Sequence, residues 1–131
     1  MVSVGRLRAP YADDVAHYAK LLSRHTRLEL VELRDSDRIA GRLPAGAFVS
    51  LLAADGQTYD SLGFAQFIET RRASARDVCF VIGGSHGLEL GGCDHRLSLG
   101  PMTMAHQLAR VVLLEQLYRA HKIIAGEPYH H

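Results

Sequence analysis

The sequence lacks tryptophan, and phenylalanine and tyrosine together make up only 7% of its 131 residues. An aromatic stacking platform of the kind that binds single-stranded nucleic acid is therefore not expected. The two cysteines, Cys79 and Cys93, cannot make a disulfide framework and favour the reducing cytoplasm as the location. No apolar run approaches the roughly 18–20 residues of a membrane span, and the first residues do not resemble a signal peptide.

The sequence also has almost no excess of positive over negative charge, because its formal net charge is only +1. This value neither requires nor excludes a nucleic-acid partner, since binding needs only a local basic patch. Apolar residues make up 47% of the chain and charged residues 22%, as in an ordinary globular protein. With no internal repeat and no long linker, we expect a single domain over residues 1–131.

Apolar runs and helical stripes alternate along the chain. The pattern predicts strands at residues 1–4, 28–33, 47–53, 78–82 and 97–99. It predicts helices at residues 11–25, 61–72 and about 103–125, a short helical piece at 89–95 and a loop with one helical turn at 35–46. Such alternation is typical of an α/β fold with a mostly parallel sheet flanked by helices.

Ligands of such sheets bind beyond the carboxyl ends of the strands, here after Leu52, Ile82 and Leu99. Gly83 and Gly84 follow a buried strand directly, which fits either a structural turn or a loop that approaches a ligand. Neither a dinucleotide fingerprint nor a phosphate-binding loop is present. Ser85 stands in a Gly-x-Ser-x-Gly frame, but a hydrolase built on that motif needs a much longer chain.

The second candidate loop begins at Gly100 and Pro101, where a predicted strand passes almost at once into a helix. Unpaired backbone groups between the two elements could bind the polar edges of a small molecule. Met102 and Met104 would offer apolar contact to such a ligand. The alternative is a tight turn whose methionines pack in the core.

Polar residues of the last helix and the tail form the third candidate. They could line a basic, phosphate-binding rim or simply a solvated helix face; the residues are His106, Arg110, Arg119, His121, Lys122, Tyr129, His130 and His131. The chain contains eight histidines but no metal-ligand spacing such as CxxC or HExxH, so we expect no metal.

Three segments of the sequence resemble those of one known family. FVIGGSHGL, LSLGPMTMAHQLARVVLLEQLYRA and the closing PYHH are similar to the RlmH family, the ribosomal RNA large subunit pseudouridine N3-methyltransferases. That family belongs to the SPOUT class of S-adenosylmethionine enzymes. The similarity covers most of the chain and is strongest from Val78 onward.

The resemblance implies a C-terminal trefoil knot, a homodimer, S-adenosylmethionine as cofactor and large-subunit rRNA, within the ribosome, as substrate. The positions that match the cofactor site are Leu51, Gly84, Gly100, Pro101, Met102, Thr103, Met104 and Ala105. Arg110, His106 and His130 are the catalytic candidates, with Arg110 first as stabiliser of the deprotonated base and His130 first as proton acceptor. Arg119, Lys122 and Tyr129 are the substrate-binding candidates.

Two further expectations follow from these assignments. A Gly84→Val variant should lose the cofactor and keep the fold. Acidification towards about pH 6 should charge the histidines of the last helix and strengthen RNA binding, while methyl transfer falls. An alternative to the enzyme is a non-catalytic module that binds RNA or the ribosome.

Overall fold

The sheet has five parallel strands in the computed structural model, which describes residues 1–84 and 90–129. Its order is β2-β1-β4-β3-β5, and every pairing is parallel. The predicted α/β fold is thereby confirmed. The strands are β1 (Val2–Val4), β2 (Val31–Leu33), β3 (Phe48–Gln57), β4 (Val78–Ile82) and β5 (His95–Leu97).

Helices cover the two faces of the sheet unequally. The helices are α1 (Tyr11–Leu22), α2 (Ile39–Arg42), α3 (Ser61–Ala73) and α4 (His106–Ala125). The long helices α1, α3 and α4 enclose one core, in which Phe80 and Leu97 of the sheet pack against Leu113 of α4. The other face is covered around Ile39 of the short α2. No helix among the described residues is long and apolar enough to cross a membrane.

Strand β3 is longer than its apolar run predicts, and β5 begins and ends two residues earlier than expected. Residues 54–57 extend the strand beyond its predicted end at residue 53, and Gln57 pairs with Leu97. His95 belongs to β5 because it pairs with Ser50 of β3, and its ring is held at both nitrogens, by Ser50 Oγ at 2.8 Å and by the Tyr59 hydroxyl at 3.0 Å. Pairing partners far along the chain thus set these strand ends.

Helix termini also differ from the sequence-based prediction. Asp60 caps α3, since its Oδ1 accepts the Gly63 N–H at 2.7 Å. Helix α4 begins at His106 instead of Thr103. Residues 91–94, within the predicted helical piece at 89–95, form turns and bends. The predicted stop of α4 is confirmed, because Gly126 adopts the left-handed conformation with φ of 70°.

Helix α1 and strand β2 are both shorter than predicted, and the 35–46 connection holds one 3₁₀ turn followed by α2. The trefoil knot that the resemblance implies stays a prediction. Residues 85–89, between β4 and β5, lie outside the described part of the chain.

Candidate functional site at the carboxyl edge of the sheet

The parallel sheet places the carboxyl ends of its strands at one edge. Strands β4, β3 and β5 are direct neighbours, with Leu51 opposite both Val81 and Arg96, and Leu52 opposite Leu97. The segments that follow Ile82 and β5 therefore leave the sheet close together, beside the outer part of β3. This edge is where ligands of open parallel sheets bind.

The connection from β5 to α4 is an exposed loop anchored at its beginning by Ser98. The buried Ser98 Oγ accepts the Gly100 N–H at 3.0 Å and lies 3.0 Å from the Ala54 carbonyl oxygen of β3. Gly100 has φ of +146°, which L side chains rarely adopt. Pro101, Met102, Thr103 and Ala105 are exposed, Met104 is half-buried, and Met102 is 84% exposed.

The other predicted cofactor residues are Leu51, within β3, and Gly84, which follows β4. Leu51 is fully buried within the sheet, so its side chain does not reach the surface of the edge. A Cβ atom at Gly84 would lie 3.3 Å from Val4 Cγ1 of β1. A side chain at position 84 would therefore require Val4 to shift by a few tenths of an ångström. That Gly84→Val loses the cofactor and keeps the fold stays a prediction.

His106 opens α4 beside the end of β1. A Cβ atom at Gly5 would lie 3.6 Å from His106 Nε2 and 3.7 Å from Arg110 Nη2. Burial lowers the pKa of His106, and the charges of Arg110 and Arg8 lower it further. The imidazole is therefore neutral at pH 7 and can accept a proton.

Arg110 is buried, whereas the predicted role as stabiliser of the deprotonated base would require its guanidinium to face the substrate. Its side chain is 1% exposed, and Nη2 donates to the carbonyl oxygens of Val4 at 2.8 Å and Gly5 at 2.7 Å. Nη1 lies 3.6 Å from Glu32 Oε1, and Nε has no hydrogen-bond partner within residues 1–84 and 90–129. The structure thus uses this guanidinium to hold the end of β1 against α4.

The substrate-binding candidates gather at the other end of α4. Arg119 Nη2 lies 2.6 Å from Glu115 Oε1, and Tyr129 OH donates to the same oxygen at 3.3 Å. Burial, followed by the nearby Glu115 charge, raises the pKa of Tyr129 to about 12, so the phenol keeps its proton. Lys122 pairs with Glu127 at 2.7 Å. Each cation of this cluster already has a carboxylate partner.

Two groups of predicted site residues are therefore separated in one chain. His106 and Arg119 are thirteen residues apart in one helix, which corresponds to about 20 Å at 1.5 Å per residue. The structure brings His106 and Arg110 together, and it brings Arg119 and Tyr129 together, but it does not join the two pairs. His130 and His131, like Ser85, lie outside the described residues.

The sequence analysis missed three residues that organise this edge: Gly5, Ser98 and Gln107. Gln107 joins α4 to the loop after β1, because Oε1 accepts the Arg8 N–H at 2.8 Å and Nε2 donates to the Arg6 carbonyl at 3.2 Å. A local pattern could not show this, since the partners are about a hundred residues apart. Only the positive φ of Gly5, at +96°, had a sequence signal, namely a glycine directly after an apolar run.

A separate cavity of about 750 Å³ opens at the opposite, amino edge, where β1, β2 and β4 begin at Val2, Val31 and Val78. His121 lines it, but none of the described residues assigned to the cofactor, to catalysis or to substrate binding does, so we do not place the chemistry there. In residues 1–84 and 90–129, no three His, Cys, Asp or Glu side chains form a group that could hold a metal ion.

Comparison with known proteins agrees with the resemblance. Residues 1–130 match a family model described as "Predicted SPOUT methyltransferase". The chain is 43% identical over 129 residues to "Ribosomal RNA large subunit methyltransferase H" of Gemmatimonas aurantiaca, covering 96% of this chain and 84% of the relative. Proteins of the same name from Gluconacetobacter diazotrophicus and Ruminiclostridium cellulolyticum are 40% and 37% identical, with 99% of this chain covered in each case. They are themselves covered over 95% and 97% of their length.

Proposed function

Since this chain belongs to the SPOUT methyltransferase family, we propose that it transfers a methyl group from S-adenosylmethionine to N3 of a pseudouridine in large-subunit rRNA. The near full-length similarity to proteins named rRNA large subunit methyltransferases carries the proposal. The exposed loop after β5, at the carboxyl edge of a parallel sheet, supports it independently. Free cysteines and an rRNA substrate favour a cytoplasmic location.

The residues of this edge fit S-adenosylmethionine. Among the described residues no side chain caps the N-terminus of α4, so its first N–H groups can bind a carboxylate. Met102 and Met104 offer apolar contact, and Gly100 leaves open space where any other residue would carry a side chain. When bound, the cofactor supplies an activated methyl group on its sulfonium. Leu51, Gly84 and residues 100–105 stay the proposed cofactor-binding positions.

The protein must also assist the loss of the N3 proton. His106 is half-buried and neutral, and we assign it as the proton acceptor among the described residues. Arg110 is a positioning residue, because its hydrogen bonds fix the backbone of Val4 and Gly5 beside the His106 imidazole. His130 stays a candidate from the sequence alone.

A homodimer would join the two separated groups. In one chain, His106 lies about 20 Å along α4 from Arg119, too far for one nucleotide base to contact both side chains. Arg119 and Tyr129 of a second subunit, placed near His106 of the first, would complete a site that neither chain contains alone. This geometry supports the proposed dimer.

The proposal is tested by methyl transfer from tritiated S-adenosylmethionine to ribosomes, large subunits and naked rRNA, followed by mass mapping of the modified nucleotide. We expect one methylated pseudouridine in the large-subunit rRNA. RNA binding without transfer to any of the three substrates would instead support the non-catalytic module. Methylation at a different base or atom would contradict the assignment of N3.

A further inference from the structure

The loop between β1 and α1 is fastened to the first turns of α4. Gln107 makes one hydrogen bond to the Arg8 N–H and one to the Arg6 carbonyl. Arg110 makes two more, to the carbonyls of Val4 and Gly5. Four hydrogen bonds between residues about a hundred positions apart thus hold the backbone of residues 4–8 against the start of α4.

The side chains of Arg6 and Arg8 project from this fixed backbone into solvent. Both residues are exposed, and neither side chain makes a hydrogen bond or ion pair with another described residue. The cations at the far end of α4 differ in this respect, since Arg119 is paired with Glu115 and Lys122 with Glu127. Binding an anion costs an unpaired guanidinium group on an ordered backbone little free energy, because no ion pair must first be broken.

These arginines lie at the edge where methyl transfer is proposed. Gly5 separates β1 from Arg6, and a Cβ atom at Gly5 would lie 3.6 Å from His106 Nε2. The charge of Arg8 also contributes to the lowered pKa of His106, so the guanidinium is within electrostatic range of the imidazole. An anion bound by Arg8 would therefore lie beside the base that is being methylated.

We propose that Arg6 and Arg8 bind the RNA phosphates next to the target nucleotide, and that Gln107 positions both arginines for this contact. The inference rests on the proposed function, because it assigns RNA to the site around His106. Guanidinium groups bind phosphate oxygens with paired, directional hydrogen bonds, which suits a role in fixing the register of the strand. Arg6, Arg8 and Gln107 are thus substrate-positioning residues rather than catalytic ones.

The salt dependence of RNA binding tests the role of Arg8. We compare wild type, Arg8→Ala and Arg24→Ala in binding large-subunit rRNA over a KCl series at constant Mg²⁺. Loss of one phosphate contact should reduce the slope of log K against log salt by about 0.7 for a single strand or about 0.9 for a duplex. Arg24 is exposed after α1, near the opposite edge, so Arg24→Ala removes the same charge as a matched control.

We expect Arg8→Ala to reduce the slope and raise KM for RNA, while Arg24→Ala keeps both at the wild-type value. Unchanged affinity for S-adenosylmethionine would show that the cofactor site of the Arg8→Ala variant is still folded. Equal slopes for wild type and the two variants would overturn the role of Arg8 even if wild type methylates rRNA. Failure of wild type itself to methylate rRNA would instead contradict the proposed function.

A second comparison tests the positioning role of Gln107. Gln107→Leu removes both hydrogen bonds to the loop without changing charge, whereas Gln107→Glu keeps an acceptor for the Arg8 N–H. We expect Gln107→Leu to raise KM for RNA in the wild-type background but to have little effect in an Arg6→Ala/Arg8→Ala background. An equal effect in both backgrounds would show that Gln107 does not act through the arginines and would overturn this part of the inference.

Discussion

His121 shows how burial changes the chemistry that a residue type suggests. The residue is 7% exposed, and its ring stacks on His25 with centroids 6.0 Å apart. Burial, followed by the charges of Arg72 and His25, lowers its pKa to about 4. The pKa of His106 is lowered too, by burial and by the charges of Arg110 and Arg8. His121 stays neutral near pH 6, which argues against the expectation that it strengthens RNA binding on mild acidification.

The same burial makes the stability of the protein depend on pH. Unfolded His121 takes up a proton below its ordinary pKa of 6.5, whereas the folded residue resists protonation down to about pH 4. Stability is thus lost as the pH falls through this interval, by at most roughly 3 kcal/mol from this residue. Urea unfolding of wild type and His121→Leu between about pH 7 and pH 4 should show the smaller loss in the variant. Equal losses would contradict the assignment.

Gly56 decides whether the end of β3 can lie against β5. A Cβ atom at this position would lie 2.7 Å from the backbone C and O atoms of Arg96, so the strands would have to separate. We expect Gly56→Ala to destabilise the protein by about 1–3 kcal/mol. Gly91→Ala is the control, because no atom of residues 1–84 and 90–129 lies within 4 Å of a Cβ atom there, and its effect should stay within about 0.5 kcal/mol. Similar urea midpoints for the two variants would contradict this account.

The loop from β5 to α4 allows a matched test of the cofactor site. Gly100 has φ of +146° and Gly46 has φ of +75°, and neither position has an atom within 4 Å of a Cβ. Alanine is strained at both positions, at a cost of about 1–3 kcal/mol. Only Gly100→Ala should weaken binding of S-adenosylmethionine, by about tenfold or more, corresponding to at least roughly 1.4 kcal/mol in calorimetry. Equal affinities of the two variants would place the cofactor elsewhere.

On the scale of the whole molecule, the surface of α4 favours a dimer through one stripe of residues. Leu114 and Leu117 are buried in the core of the chain, while Val111 and Val112 are only half-buried. Leu108 is 38% exposed and lies one turn before Val112 on the same face, which continues towards Arg119. We propose that this face pairs with a second copy.

Sedimentation equilibrium tests the dimer with one variant on the stripe and one away from it. Leu108→Asp should give a monomer at micromolar concentration, because it places a charge in the apolar centre of the interface. Leu62→Asp, at a 56% exposed position on α3, should remain a dimer.

Mixing inactive His106→Ala and Arg119→Ala chains should restore part of the methyl transfer, since mixed dimers contain one intact site. A wild-type monomer, or no restoration, would contradict the shared site.

The sequence by itself determined the α/β class, the extent of β4 and the stop of α4, because these depend on local patterns of apolar residues and on Gly126. It also carried the family motifs from Val78 onward. Tertiary structure decided the strand order, the continuation of β3 to Gln57 and the burial of Arg110 and His121, because each depends on partners far along the chain. The family resemblance suggested that Arg110 is catalytic, whereas packing against β1 placed its guanidinium on the carbonyls of Val4 and Gly5.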